Sequence, residues 1–181
     1  MTILNQKSSN MNGSLTSEPD CFSDEAWSLL LIAEQSARRW RHQNLDVEHL
    51  IEVLFRNKKF QNYTNSLPVN HEEINEILEN FIADQPISNQ PDLFIGEDLE
   101  ILLETADDFR ARWGSNQIEI SHILIAIGRD NRLGEDLFYQ AGLPSEILEA
   151  ELRRLPAPKS FKQSKRSIAS PMEDGPQKNS K

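Results

Sequence analysis

The chain has 181 residues, one cysteine and a formal net charge of −10, enough length for one domain with a real core and no disulfide framework to hold it. Nowhere do about 18 apolar residues run together, which excludes a membrane-spanning helix. The charge is uneven. From Arg153 to Lys181 eight lysines and arginines face only Glu173 and Asp174, a balance of +6, and residues 1–20 carry −1, so residues 21–152 hold −15. A body of that sign repels phosphate backbones, leaving nucleic-acid binding, if any, to the C-terminal segment.

Residues 1–20 are rich in Ser and Asn, with one base, Lys7, and no apolar run longer than Ile3-Leu4. They lack both parts of a signal peptide and the arginines of a transit peptide, and are expected to form a disordered tail in a cytoplasmic protein. The first long helix is predicted behind Ser23, a capping residue followed by Asp24 and Glu25. Its apolar stripe is Ala26, Leu29, Leu30, Ala33, Ala37 and Trp40. A short helix over Val47 to Phe55 follows, with Asp46 as its cap. Leu67-Pro68 then precedes a helix carrying Ile74, Ile77, Leu78 and Phe81.

A polar stretch at 84–94, punctuated by Pro86 and Pro91, reads as a linker. Beyond it, Leu99, Leu102, Leu103, Ala106 and Trp113 form a second long stripe, with Asp107, Asp108, Arg110 and Arg112 mostly on the wet side. A short helix from Ser121 to Ile127, closed by Gly128, is expected next. Gly142-Leu143-Pro144 precedes the last helix, with Ile147, Leu148 and Leu152. No convincing alternating strand is present. Residues 156–181 mix Pro, Lys and Ser and read as a basic disordered tail.

The two halves are copies. Shifted by 73 positions, Phe22 to Arg56 lies over Ile95 to Arg129 without a gap, and seven of the 35 pairs are identical, including Trp40/Trp113 and His49/His122. Apolar pairs such as Leu45/Ile118 and Leu50/Ile123 reinforce the match. The expected fold is all-α, with about eight helices in two pseudo-symmetric four-helix repeats, 22–83 and 95–155, within a domain 21–155.

The segments "FSDEAWSLLLIAEQSARRWRHQNLDVEHLIEVL" and "DLEILLETADDFRARWGSNQIEISHILIAI" resemble the tandem repeat at the N-terminus of Clp-family AAA+ chaperones. The specific elements are Glu48-His49-Leu50, its echo Ser121-His122-Ile123, and the Leu-Pro or Gly-Leu-Pro turn before each last helix. The resemblance implies a domain that docks substrates and adaptors onto an unfoldase ring. A nucleotide-binding Gly-Lys-Ser/Thr loop is missing, since none of the seven glycines is followed by Lys. That layout resembles small stand-alone accessory proteins of Clp proteases, with Clp ATPase or protease subunits, or substrate proteins, as partners. No cofactor and no catalytic residue are expected.

Some Clp N-domains bind phosphorylated arginine through a Thr at the start of the long helix and the Glu of the Glu-His step. The matching residues are Ser23 and Glu48 in repeat one, but Gly96 and Ser121 in repeat two, which preserve neither group. Helix capping explains Ser23 equally well. His49 and His122 are read as packing residues, because His42, His71 and Cys21 show no metal-ligand spacing beside them. Trp40 and Trp113 are read as core by their symmetry. Trp27, opposite Glu100 in the other copy, is the better surface contact. The carboxylate pairs Asp24/Glu25, Glu72/Glu73 and Asp107/Asp108 point to solvent rather than to a shared catalytic site. Lys159, Lys162, Lys165 and Arg166 make the basic tail a candidate docking arm. The alternative function is a regulatory protein that reuses the fold, its tail binding nucleic acid or an acidic protein surface.

Overall fold

The computed structural model describes residues 2–4 and 14–154. Repeat one contains α1 (Asp24–Trp40), β1 (Asn44–Leu45), α2 (Val47–Arg56), α3 (Gln61–Thr64) and α4 (His71–Ala83). Repeat two contains β2 (Phe94–Ile95), α5 (Glu97–Arg112), α6 (Ile120–Ile127), α7 (Gly134–Gln140) and α8 (Ser145–Arg154). The expected all-helical architecture is present, with eight α-helices among the described residues.

Local chemistry sets the helix ends. Ser23 accepts from the Ala26 amide at 3.2 Å and caps α1, a device worth about 1 kcal/mol. Asp24 and Glu25 add negative charge at the positive end of the helix dipole. The other end stops at Arg41, whose left-handed backbone (φ 58°) returns its N–H to Ala37 and Arg38. The predicted stripe of α1 is buried from Ala26 to Ala37, with Ala26, Leu29, Leu30, Ala33 and Ala37 inaccessible to solvent, and Trp40 at its end is half-buried. It packs against α2, as α5 packs against α6. The second stripe extends further than predicted, because Phe109 is buried too.

The two halves interlock through a pair of matched backbone contacts. Leu45 pairs in parallel with Ile95, and Phe22 forms a parallel bridge with Ile118. Positions 45 and 118, like 22 and 95, are 73 apart, so the contacts are related by the repeat. Equivalent hydrogen bonds run from Gly96 N to Leu45 O at 2.8 Å and from Ser23 N to Ile118 O at 2.9 Å. Each half thus donates the entry to its long helix to the other half. Sequence periodicity gave no sign of these strands, because two residues are too short to show alternation.

Two expectations need correcting. Residues 1–20 were expected to be a tail, yet Leu4 is buried in the core and the described residues after it form 3₁₀ turns at Leu15–Ser17 and Pro19–Cys21. Leu15–Ser17 packs on α5. The stretch 84–94 is tied down: Ser88 and Phe94 amides bond Arg41 and Gln43 carbonyls, and Leu93 is buried. Gly128 closes α6 as expected, with ordinary right-handed dihedrals. What it supplies is room, since a Cβ there would lie 2.4 Å from Leu148 Cδ2. The predicted tail 156–181 lies outside the described residues.

Gly134, at the start of α7, is tighter still. A Cβ would lie 2.0 Å from the carbonyl oxygen of Ile127, a backbone atom that cannot step aside. Gly134→Ala is expected to lower stability by about 1–3 kcal/mol despite its better helix propensity. Urea unfolding followed by circular dichroism reads this, and an unchanged or raised midpoint would contradict it.

Candidate functional site

The polar groups of the domain concentrate along the N-terminal half of α2 and the seam between the repeats. Asp46 and Glu48 are 4% and 2% exposed, a degree of burial a carboxylate tolerates only with partners. Arg132, in the segment joining α6 to α7, supplies them. Its Nε and Nη2 donate to the two oxygens of Glu48, each at 3.0 Å. The guanidinium also donates to Gln85 Oε1 at 3.0 Å and lies 3.8 Å from Asp46 and from Asp98. Its carbon sits 5.3 Å from the Phe81 ring centre. One arginine of repeat two therefore ties α2, α4 and the start of α5 together.

The charges shape one another. The Arg132 guanidinium is raised above its ordinary pKa, first by its hydrogen bonds to Glu48. Burial, then the neighbouring Glu48, push the Asp46 carboxyl up to about 6. Asp46 also fills the space beside Gly96, where a Cβ would lie 2.1 Å from its Oδ2. Glycine at the start of α5 is thus required by Asp46, and the loss of a hydroxyl there relative to Ser23 has a steric cause.

The histidines close a chain of hydrogen bonds. The Asp46 amide donates to His49 Nδ1 at 3.0 Å, and His49 Nε2 meets His42 Nδ1 at 2.8 Å. The Ile82 backbone lies against the His42 ring as a further hydrogen-bond partner, while burial, the largest cause, lowers the His42 pKa below its ordinary value. In repeat two the Glu119 amide donates to His122 Nδ1 at 2.9 Å. His49 and His122 each serve as the third residue of a capping box, and burial lowers both to about 4. His42, Glu48 and His49 bring ligand-type atoms within 4.8 Å of one another, a meeting the sequence reading did not foresee. Each atom is already engaged, the imidazoles by each other and the carboxylate by Arg132, so this set fits a hydrogen-bond relay better than a cation.

Glu52 is a second buried carboxylate. It accepts from Ser36 and from the Trp40 indole at 3.2 Å, with Arg39 at 3.2 Å and Arg56 at 3.8 Å. In repeat two Ile125 stands at the matching position, and the buried Trp113 indole N–H finds no acceptor among the described residues. Outside these clusters, a cleft of about 500 Å³ opens between the end of α1 and the segment 88–93, with Arg38, Arg41 and His42 on one wall.

A family model described as the Clp repeat (R) N-terminal domain matches residues 21–140. The chain belongs to the Clp repeat N-terminal domain family. Chaperone protein ClpB 2 of Parasynechococcus marenigrum is 51% identical over 142 residues, which cover 78% of this chain and 16% of that protein. ClpB 1 of Thermosynechococcus vestitus is 30% identical over 145 residues, 77% of this chain and again 16% of the relative. The chain thus spans about one sixth of the length of these relatives. The Hsp104 N-terminal domain of Candida albicans superposes with a TM-score of 0.64 at 16% identity, over 74% of this chain and 90% of that one. The ClpV1 N-terminal domain of E. coli gives 0.55 at 18%, over 72% and 83%. At those identities the structures speak for the fold alone.

Within the Clp repeat domain the residues singled out by sequence fall into three groups. Ser23 is half-buried and occupied as a helix cap, and Trp27 is half-buried against Phe22, with ring centres 5.5 Å apart. Glu48 faces the seam with both oxygens taken by Arg132, so an arginine ligand would have to displace an internal one. Trp40 and Trp113 are half-buried against the core, and His49 and His122 are fully buried. Lys159, Lys162, Lys165 and Arg166 lie outside the described residues. Sequence reasoning missed Arg132 and Glu52. A signal existed for Glu52 alone: a carboxylate interrupts the buried side of α2 where its repeat partner is isoleucine. No helix among the described residues is long and apolar enough to cross a membrane.

Proposed function

We propose that the protein is a non-enzymatic, protein-binding accessory factor of a Clp chaperone-protease system, docking partner or substrate proteins. The observation that supports this most is the Clp repeat domain itself, matched over 21–140 and 51% identical to the corresponding part of a ClpB chaperone. Clp N-domains are non-catalytic protein-binding domains. The polar clusters support the same reading. Their carboxylates are tied to arginines, their histidines are neutral and buried, and among the described residues of these clusters no nucleophile lies beside a free base. The net charge of −15 over residues 21–152 favours protein over nucleic acid as partner.

The test is capture from a lysate at near-physiological salt, comparing the full chain with one ending at Leu155 and identifying the bound proteins by mass spectrometry. The proposal expects Clp ATPase or protease subunits with both forms. Retention of nucleic acid alone, by the full chain alone, would overturn it and assign the function to the basic tail.

A further inference from the structure

The N-terminal residues Thr2–Leu4 dock on α1 as a peptide ligand docks on a receptor. Leu4 is 1% exposed, among the most deeply buried side chains of the domain. Ile3 packs against the edge of the core. The carboxylate of Glu34, itself 4% exposed in the middle of α1, accepts from the Ile3 backbone amide at 2.7 Å and from the Thr2 hydroxyl at 2.5 Å. Arg38, one turn on, donates to the same carboxylate at 3.2 Å and completes its charge balance. The segment is bent, the Leu4 amide donating to the Thr2 hydroxyl at 3.2 Å, so a side-chain hole for leucine and a carboxylate aimed at main-chain N–H together read a short turn by shape and by backbone.

Two features make this a socket rather than ordinary packing. The segment lies outside the repeat unit: the copy of Glu34 in repeat two is Asp107, which is 38% exposed and holds Arg110 at 2.6 Å instead of a peptide. The recognition also needs few groups, one hydroxyl, one N–H and two aliphatic side chains, all of which another protein can present. We propose that the Glu34 socket is a docking site for a short, bent segment of a partner protein carrying a hydroxyl residue, an aliphatic residue and leucine in succession. The chain's own Thr2-Ile3-Leu4 fills the socket until that partner displaces it.

A tethered occupant competes at high effective concentration, and apparent affinity falls with the fraction of sockets left open. The probe is a synthetic peptide of residues Met1–Gln6 with a C-terminal fluorophore, read by fluorescence anisotropy against the full chain. Leu4→Asp, which puts a charge where the leucine is buried, is expected to release the socket and bind the peptide about 10- to 100-fold more tightly than the natural chain. Adding Glu34→Gln to that variant is expected to abolish most of the gain, and a peptide carrying Leu4→Asp is expected not to bind. Circular dichroism checks that the variants fold. If Leu4→Asp does not, Ile3→Pro removes the amide that Glu34 accepts without burying a charge, and the same gain is expected from it. Equal binding by natural and variant chains, or binding by none of the folded ones, overturns the proposal. Concentration-dependent dimerisation of the natural chain through this segment would overturn the assignment to a partner and give the socket to a second copy. The inference goes beyond the accessory reading and is separable from it, since capture of Clp subunits can fail while the socket binds its peptide.

Discussion

Replacing Arg132 with alanine is expected to lower stability by about 3–5 kcal/mol, more than loss of an ordinary surface ion pair. The size follows from what is left behind. Glu48 is 2% exposed and receives two hydrogen bonds from this one guanidinium. Without it the carboxylate stays buried beside Asp46, and Gln85 loses its donor partner as well. Because Arg132 belongs to repeat two and Glu48 to repeat one, the loss is felt as loosening of one half from the other. Arg132→Lys is expected to fall between, since an ammonium cannot match the two carboxylate oxygens in parallel. Glu48→Gln in the Arg132→Ala background is expected to restore part of the loss by removing the orphaned charge. Urea unfolding read by tryptophan fluorescence, in a double-mutant cycle, measures all three. A change below about 1 kcal/mol for Arg132→Ala would mean that Glu48 is rescued by water and that the seam is held by apolar packing alone.

The parts of the molecule legible in the sequence are those written as repetition. The stripes of α1 and α5, the Ser23 cap and the turns before α4 and α8 obey local rules of period and capping, and the 73-residue repeat doubles each signal. The seam obeys no local rule. Arg132 meets Glu48 across 84 positions, and Leu45 meets Ile95 across fifty, so neither contact has a spacing to recognise. Burial of Leu4 was illegible for a similar reason. A single Ile3-Leu4 pair among polar residues looks like a tail, and only the hole beside Glu34 makes it part of the core. The histidines show the opposite case. Their repetition marked them as structural, and their place three residues after Asp46 and Glu119 is the reason, because from there the ring reaches back to the capping residue's amide. Breaks in the repeat are informative too: Glu52 against Ile125 and Ser23 against Gly96 each mark a place where the two halves do different work.

Acid is expected to destabilise the protein between pH 6.5 and pH 4, and the histidines dominate. In the relay the Asp46 amide points at His49 Nδ1 and His49 Nε2–H points at His42 Nδ1. A second proton on either ring would have to sit where an N–H already points. Burial, the largest cause, holds His49 and His122 at about 4, below the ordinary 6.5. Between those values the unfolded chain takes up protons that the folded chain refuses, so stability falls as pH falls. The two histidines together remove on the order of 7 kcal/mol over that range. Asp46 acts in the opposite sense. Its carboxyl is raised from 3.8 to about 6, so the folded chain binds that proton first and regains on the order of 3 kcal/mol as pH falls from 6 to 4. Whole-domain stabilities of about 5–15 kcal/mol leave little margin against the difference. Urea midpoints at pH 7, 5.5 and 4 read the net effect, and Asp46→Asn separates the two contributions. That variant is expected to lose stability more steeply between pH 6 and pH 4 than the natural chain, because the compensating proton is gone. An identical slope would mean that Asp46 stays ionised in the folded protein, held by Arg132 against both burial and Glu48.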